Sequence, residues 1–365
     1  MLLYITAEDV FGSGTPERRG PRPLHAIPST LAGLYDLGLR HHVRPAAMAW
    51  WTEGSLERIP DWRLDRLAIR LALFGRERLG LEPGERVAVL GRLGWLWPVV
   101  DFAAMGFGVL PVGLEHDLTD DAVAFAFSEA APRAAFATDA ESVSRLKRLR
   151  EAGRLGGATV VGEGLTEEEG LRPLAQVMDL AAILDTPERA QAFRAHSRQL
   201  AAGSPALWHV GPQGLVRLTH QAAMARTAPV LRARPACEGD VAYLDAPRVT
   251  LRKRLAMAAF VGDGHTTTAL GREGRAAEDV AELRPHKVLA SEPWVSAACD
   301  GRGPRWPAGL DRRQARRRVQ DALGGRLRWV EAGSAASDET ARALAAACVT
   351  LHVLDGASGE SGFVS

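Results

Sequence analysis

The chain has very little cysteine. Its 365 residues hold three, Cys237, Cys299 and Cys348, far apart and with no Cys-x-x-Cys pair. That spacing gives no disulfide framework and no thiolate zinc site, and it fits a reducing compartment, with the cytoplasm expected. Excess charge of either sign is missing as well. Lys and Arg total 45 against 44 Asp and Glu, a formal net charge of +1. The whole molecule is therefore no electrostatic match for nucleic acid or for an anionic membrane, and no nucleic-acid partner is expected. Long apolar runs are absent. The most membrane-like stretch, Trp97–Leu114, is interrupted by Pro98, Asp101, Gly106 and Gly108. It reads as a buried helix, a turn and a strand, which leaves peripheral contact as the one membrane association to consider. The opening MLLYITAEDV has no basic region and meets acids at Glu8 and Asp9, unlike a signal peptide. There is no Gly-x-Ser-x-Gly elbow, no His-Glu-x-x-His and no complete Walker loop.

What is present is an ordinary globular balance, 46% hydrophobic and 24% charged, long enough for two or three compact units. Residues 1–28, rich in Pro, Gly and Arg, read as an irregular lead-in. Asp61 is placed to cap a helix with apolar positions Leu64, Leu67, Leu71 and Phe74 that ends at Gly80. Buried-strand runs follow at Arg86–Leu90, Val109–Leu114, Ala134–Thr138 and Thr159–Val161, with helical segments between them. Residues 162–204 carry no strand signal. Alternation resumes with strands at Val241–Leu244, Thr266–Leu270, Lys287–Ala290, Leu327–Glu331 and Val349–Leu354. Strands alternating with helices imply an α/β fold with parallel sheets covered on both faces. The expected organisation is a first α/β lobe over 29–200 and a second over 201–365. Between Gly301 and Arg318 an arginine-rich stretch reads as a solvated helix face. Arg248 and Arg252–Arg254 read as a solvated basic face too, and Gly262-Asp263-Gly264-His265-Thr266 as a plain turn.

Several segments, in order, resemble the large N-terminal domain of a long-chain acyl-CoA synthetase of the adenylate-forming (AMP-binding) superfamily. They are Leu79–Ala88 (LGLEPGERVA), Trp97…Val109-Leu110-Pro111-Val112, Phe127–Ala130 with Arg133–Phe136, and Leu283-Arg284-Pro285. Trp208–His220 (WHVGPQGLVRLTH), Leu323–Arg328 with Ala332–Ala335, and Asp355–Gly362 (DGASGESG) complete the series. The resemblance implies two βαβ lobes with mostly parallel sheets. It also implies a site for ATP or AMP with magnesium and an acyl or adenylate ligand.

The resemblance further implies which residues form that site, and here this chain departs from the pattern. In the family the loop matching Trp208–Gly214 wraps the ATP phosphates with Ser/Thr hydroxyls and a lysine. Here Gly211, Gly214, Thr219 and His220 remain, while the lysine position holds Gly214, or Gln213 in a register one residue earlier. No hydroxyl or ammonium is left in the loop, and phosphate binding draws on such groups. Gly333, Ser334 and Ala335 match the adenine-side turn. Asp355 replaces the aromatic residue that stacks on adenine, Gly356 is kept, and Ser358 stands in for a phosphate-contacting Thr. Glu360 follows one residue after the position of a magnesium-binding Glu, and magnesium tolerates little geometric error. The sequence ends at Ser365, and the family's ribose-binding aspartate and small C-terminal domain are expected to be absent. The resulting expectation is a degenerate, non-catalytic homologue. Such a pseudoenzyme, which the resemblance associates with fatty acid metabolism, would bind a nucleotide or acyl ligand weakly, or a protein partner; a gene remnant without a function is a further reading. The alternative is a fatty acid–CoA ligase half that acts with a separate C-terminal domain.

Overall fold

The structure is a computed structural model, and it describes residues 27–41, 44–233, 237–245, 248–290, 325–332, 350–354 and 361–363. Two sheets organise it. The first has seven strands: β3 (Arg86–Leu90), β4 (Leu110–Leu114), β5 (Ala134–Ala137), β6 (Thr159–Gly162), β7 (Leu171–Pro173), β8 (Pro205–Gly211) and β9 (Gly214–Thr219). Their order is β7-β6-β5-β3-β4-β8-β9, parallel throughout except at β8/β9. The second sheet contains β1 (Met48–Thr52), β2 (Ser55–Ile59), β10 (Asp240–Leu244), β11 (Thr266–Leu270) and β12 (Lys287–Ala290). It is completed by β13 (Trp329–Ala332), β14 (Thr350–Leu354) and β15 (Ser361–Phe363). Its order is β15-β14-β13-β12-β10-β11-β1-β2, antiparallel only at the two ends. The expected neighbours Arg86–Leu90, Val109–Leu114 and Ala134–Thr138 do share one parallel sheet. Leu327–Glu331 and Val349–Leu354 do pair in another. Strands 205–219 join the sheet built mainly from residues before 200, and strands 48–59 join the other.

Period-two alternation sorts the first sheet's side chains. Val87 and Val89 face the large core, and Ala88 and Leu90 face the opposite way. The outward set, with Val112, Leu114 and Ala135, packs against α4 (Asp120–Ala130) and α5 (Ala140–Glu151) through Val123, Phe127, Leu146 and Leu149. The inward set meets the helices α1 (Leu31–His41), α2 (Asp61–Leu79), α3 (Leu96–Gly106) and α9 (Leu251–Gly262). Met48, Leu244, Leu270, Leu289 and Trp329 of the second sheet close the same core. Helices therefore fill the space between the sheets, joined there by α6 (Leu174–Leu184), α7 (Pro187–Gln199) and α8 (His220–Ala233). On the far side of the second sheet lies α10 (Ala276–Leu283), whose Asp279 accepts from Tyr243 of β10.

Local chemistry accounts for most helix ends. Gly80 stops α2 in the left-handed region at φ 62°, as the sequence leads one to expect. Thr119 caps α4 by accepting from Ala122 N–H. The Asp61 cap is a correction: Pro60 holds the cap position, and the Asp61 carboxylate instead accepts from Arg44 N–H and Nε–H at 2.7 and 2.8 Å. Five strands escaped the sequence reading, β1, β2, β7, β9 and β15, together with the strand character of β8. β7 is three residues long and ends in proline, and β2 is half exposed, so neither shows a buried apolar run.

Candidate functional site

Loops that follow the carboxyl ends of parallel strands in the two sheets approach one another. Arg92, just after β3, meets Glu273, just after β11, at 3.2 Å. Asp117, after β4, lies 3.8 Å from Arg248, after β10. Open parallel sheets bind ligands beyond these ends.

The loop singled out in the sequence is a β-hairpin with a two-residue turn. Gly211 of β8 sits opposite Gly214 of β9, and only Pro212 and Gln213 connect them. Gly214 has φ 103°, which a side chain would strain. A Cβ on Gly211 would lie 2.6 Å from Glu115 Oε1, so a side chain there would push the Glu115 carboxylate off its present position against His209. Pro212, Gln213 and Gly214 are exposed. His209, the titratable group of this segment, points inward and meets Glu115 Oε1 through Nε2 at 3.0 Å. It is 2% exposed, and burial lowers its pKa despite the Glu115 hydrogen bond.

The Thr219-His220 pair has local structural roles here. Thr219 Oγ1 accepts from Ala222 N–H at 3.1 Å at the start of α8. His220 is 1% exposed, and its Nδ1 accepts from Leu31 N–H at 3.2 Å. Burial brings its pKa down to about 4, so the ring is neutral at pH 7. Gly211, Gln213, Gly214 and Thr219 thus come together on one hairpin.

Gly333, Ser334, Ala335, Asp355, Gly356, Ser358 and Glu360 lie outside the described residues. The strands that lead into them are described: β13 and β14 are parallel neighbours with Ala332 opposite Val353. Among the described residues no group of three His, Cys, Asp or Glu side chains is arranged to hold a metal ion.

Two basic residues expected on a solvated face have different surroundings. Arg254 is completely buried, and its Nε and Nη2 donate to Asp101 at 2.8 and 2.5 Å. It also donates to the Trp208 and Pro111 carbonyls, tying α9 to α3, β4 and β8. Lys253 Nζ is 2.7 Å from Asp245 Oδ1. The reason is positional: α3 is buried along its whole length, so Asp101 needs a buried cation. Arg248 does stay exposed. The Gly262–Thr266 segment is a plain turn, in which Asp263 Oδ1 accepts from the N–H groups of His265 and Thr266. Sequence reasoning missed the Asp101–Arg254 and His209–Glu115 pairs. The only signal was an acid inside an apolar helix.

Residues 63–202 match the family model described as AMP-binding enzyme. The architecture then settles the fold. It is that of the N-terminal domain of acyl-CoA synthetases. A Mycobacterium tuberculosis fatty acyl CoA synthetase aligns with a TM-score of 0.66 and 16% identity, over 89% of this chain and 59% of that one. A putative long-chain-fatty-acid CoA ligase from Rhodopseudomonas palustris CGA009 gives 0.66 and 18%, over 91% and 76%. The A-PCP didomain of a carboxylic acid reductase from Segniliparus rugosus, in complex with AMP, gives 0.63 and 16%, over 90% and 52%. No curated protein sequence matches the chain. The chain thus spans about three-fifths of the mycobacterial enzyme and half of the reductase didomain. Among the described residues, no helix of this acyl-CoA synthetase fold is long and apolar enough to cross a membrane.

Proposed function

We propose that the chain is a degenerate member of this fold that does not adenylate carboxylates and binds AMP or an acyl-adenylate weakly in a crevice between the loops that follow the parallel strands. The observation that carries this reading is the hairpin at Gly211–Gly214. A tight two-residue turn, with proline and glutamine at its tip, stands where the family's loop wraps phosphates. It offers no hydroxyl and no ammonium, and its one imidazole is buried against Glu115. Triphosphate charge has nothing on this loop to neutralise it. Glycine backbone at the turn still permits close approach of an anion, and the AMP complex of the reductase didomain supports a nucleotide as the ligand class. Thr219 and His220 do not argue for the ligase-half reading, because capping and helix docking account for both.

Carboxylate-dependent ATP–pyrophosphate exchange tests the proposal. With purified chain, magnesium and fatty acids of several lengths, no exchange above background is expected. Robust exchange overturns the proposal.

A further inference from the structure

β9 is the last strand of the seven-stranded order, so one row of its backbone N–H and C=O groups has no partner strand among the described residues. The other described edges are less suited to pairing. β7 and β15 are three residues long, and β2 carries Glu57 and Arg58. β9 reads Gly-Leu-Val-Arg-Leu-Thr, with one charge and no proline, and only Leu218 in it is buried. An edge of this kind is a template for another strand.

The two faces of β9 differ. Val216 and Leu218 pack toward the large core. Leu215 and Arg217 alternate with them and face the other way. Leu215 packs against the cluster under α4, and Arg217 stacks on Trp208 at 4.6 Å and lies 3.9 Å from Glu129 of α4. On this side an apolar groove of about 370 Å³ runs between the hairpin and α4, with Ala126, Val210 and Leu215 in its lining. Phe125 belongs to the same groove and is 63% exposed. Asp117 and Glu129 also line it, and no Lys, Arg or His does. Such a groove suits an apolar strand that carries a cation, and β9 is itself a strand of that kind.

We propose that two copies of the chain pair through β9, antiparallel about a two-fold axis at Val216. A two-fold axis normal to a sheet keeps every side chain on its own face, so it passes through a residue and not between two. An axis at Val216 sets Gly214 opposite Leu218, Leu215 opposite Arg217, and the two Val216 side chains opposite one another. An axis at Arg217 gives the same length of pairing but sets two guanidinium groups face to face, and like charges directly opposite are destabilising. The Val216 register has no such conflict. It also brings Arg217 of the partner subunit opposite Leu215, at the groove whose lining holds Asp117 and Glu129. Both grooves are served alike, as an isologous contact requires.

Size-exclusion chromatography with light scattering on the full chain tests this. At micromolar concentration the parent is expected at twice the 39.2 kDa of one chain, and a monomer throughout overturns the proposal. Cross-linking reads the register. Residues directly opposite in an antiparallel pair have Cα atoms about 4.5–5.5 Å apart, within disulfide reach. Under oxidation Val216→Cys should cross-link at least tenfold more than Arg217→Cys, whose two copies stand out of register. The parent, with its three native cysteines, is the control. Equal cross-linking of the two variants, or more through Arg217→Cys, overturns the proposal. Arg217→Glu reads the charge, because it sets a carboxylate against Asp117 and Glu129 of the partner subunit. It should weaken the dimer at least tenfold with circular dichroism unchanged, and a dimer as tight as the parent's overturns the proposal.

Discussion

Asp101 and Arg254 form the most consequential side-chain pair, because each is essentially without solvent. Removing one partner strands a buried charge, which costs about 3–5 kcal/mol. Asp101→Ala should lower stability by that amount in urea denaturation, and pairing Asp101→Leu with Arg254→Met should restore much of it. His220 gives a pH signature. Its folded pKa of about 4 is below the ordinary 6.5. The unfolded chain therefore takes up the proton first as pH falls. The His220 contribution is complete above about pH 6.5 and is lost progressively toward pH 4, and it amounts to about 3 kcal/mol. Melting across pH 4–7 should show a steeper acid decline for the parent than for His220→Gln.

At the scale of elements, the β8–β9 hairpin and the start of α8 act as a unit. Thr219 ends the strand and caps the helix, so Thr219→Ala should cost about 1 kcal/mol. Gly214→Ala forces φ 103° on a side-chain residue and should cost about 1–3 kcal/mol. Denaturant melts of the two single variants check both values. The same hairpin marks the limit of what the sequence discloses. Buried parallel strands such as Arg-Val-Ala-Val-Leu are nearly continuous apolar runs, so their existence and pairing are legible. β8 and β9 are longer but carry polar interruptions, His209 and Arg217, and meet at Pro-Gln rather than at a turn dipeptide that favours hairpins. The spacing of Gly211 and Gly214 was legible as a loop; the close approach of Gly211 to Glu115 depends on a contact 96 residues away in the chain.

For the whole molecule, the prediction concerns ligand rank. A crevice with glycine backbone at its mouth, and without hydroxyls or lysine in the hairpin, should bind AMP or an acyl-adenylate analogue weakly. Magnesium and the further phosphates of ATP should add little. Calorimetry with AMP, ATP and ATP plus magnesium checks this, and much tighter magnesium-ATP binding would revive the ligase-half reading. The two sheets that border the crevice are not independent leaves. The Arg254 guanidinium reaches from α9 to Asp101 on α3 and to the carbonyls of β4 and β8. It works as a rivet through both halves, set in a medium where a broken ionic bond finds no water. Any shift of α9 against α3 or β8 would have to part that guanidinium from its carboxylate in the dry interior, so these elements move together or not at all.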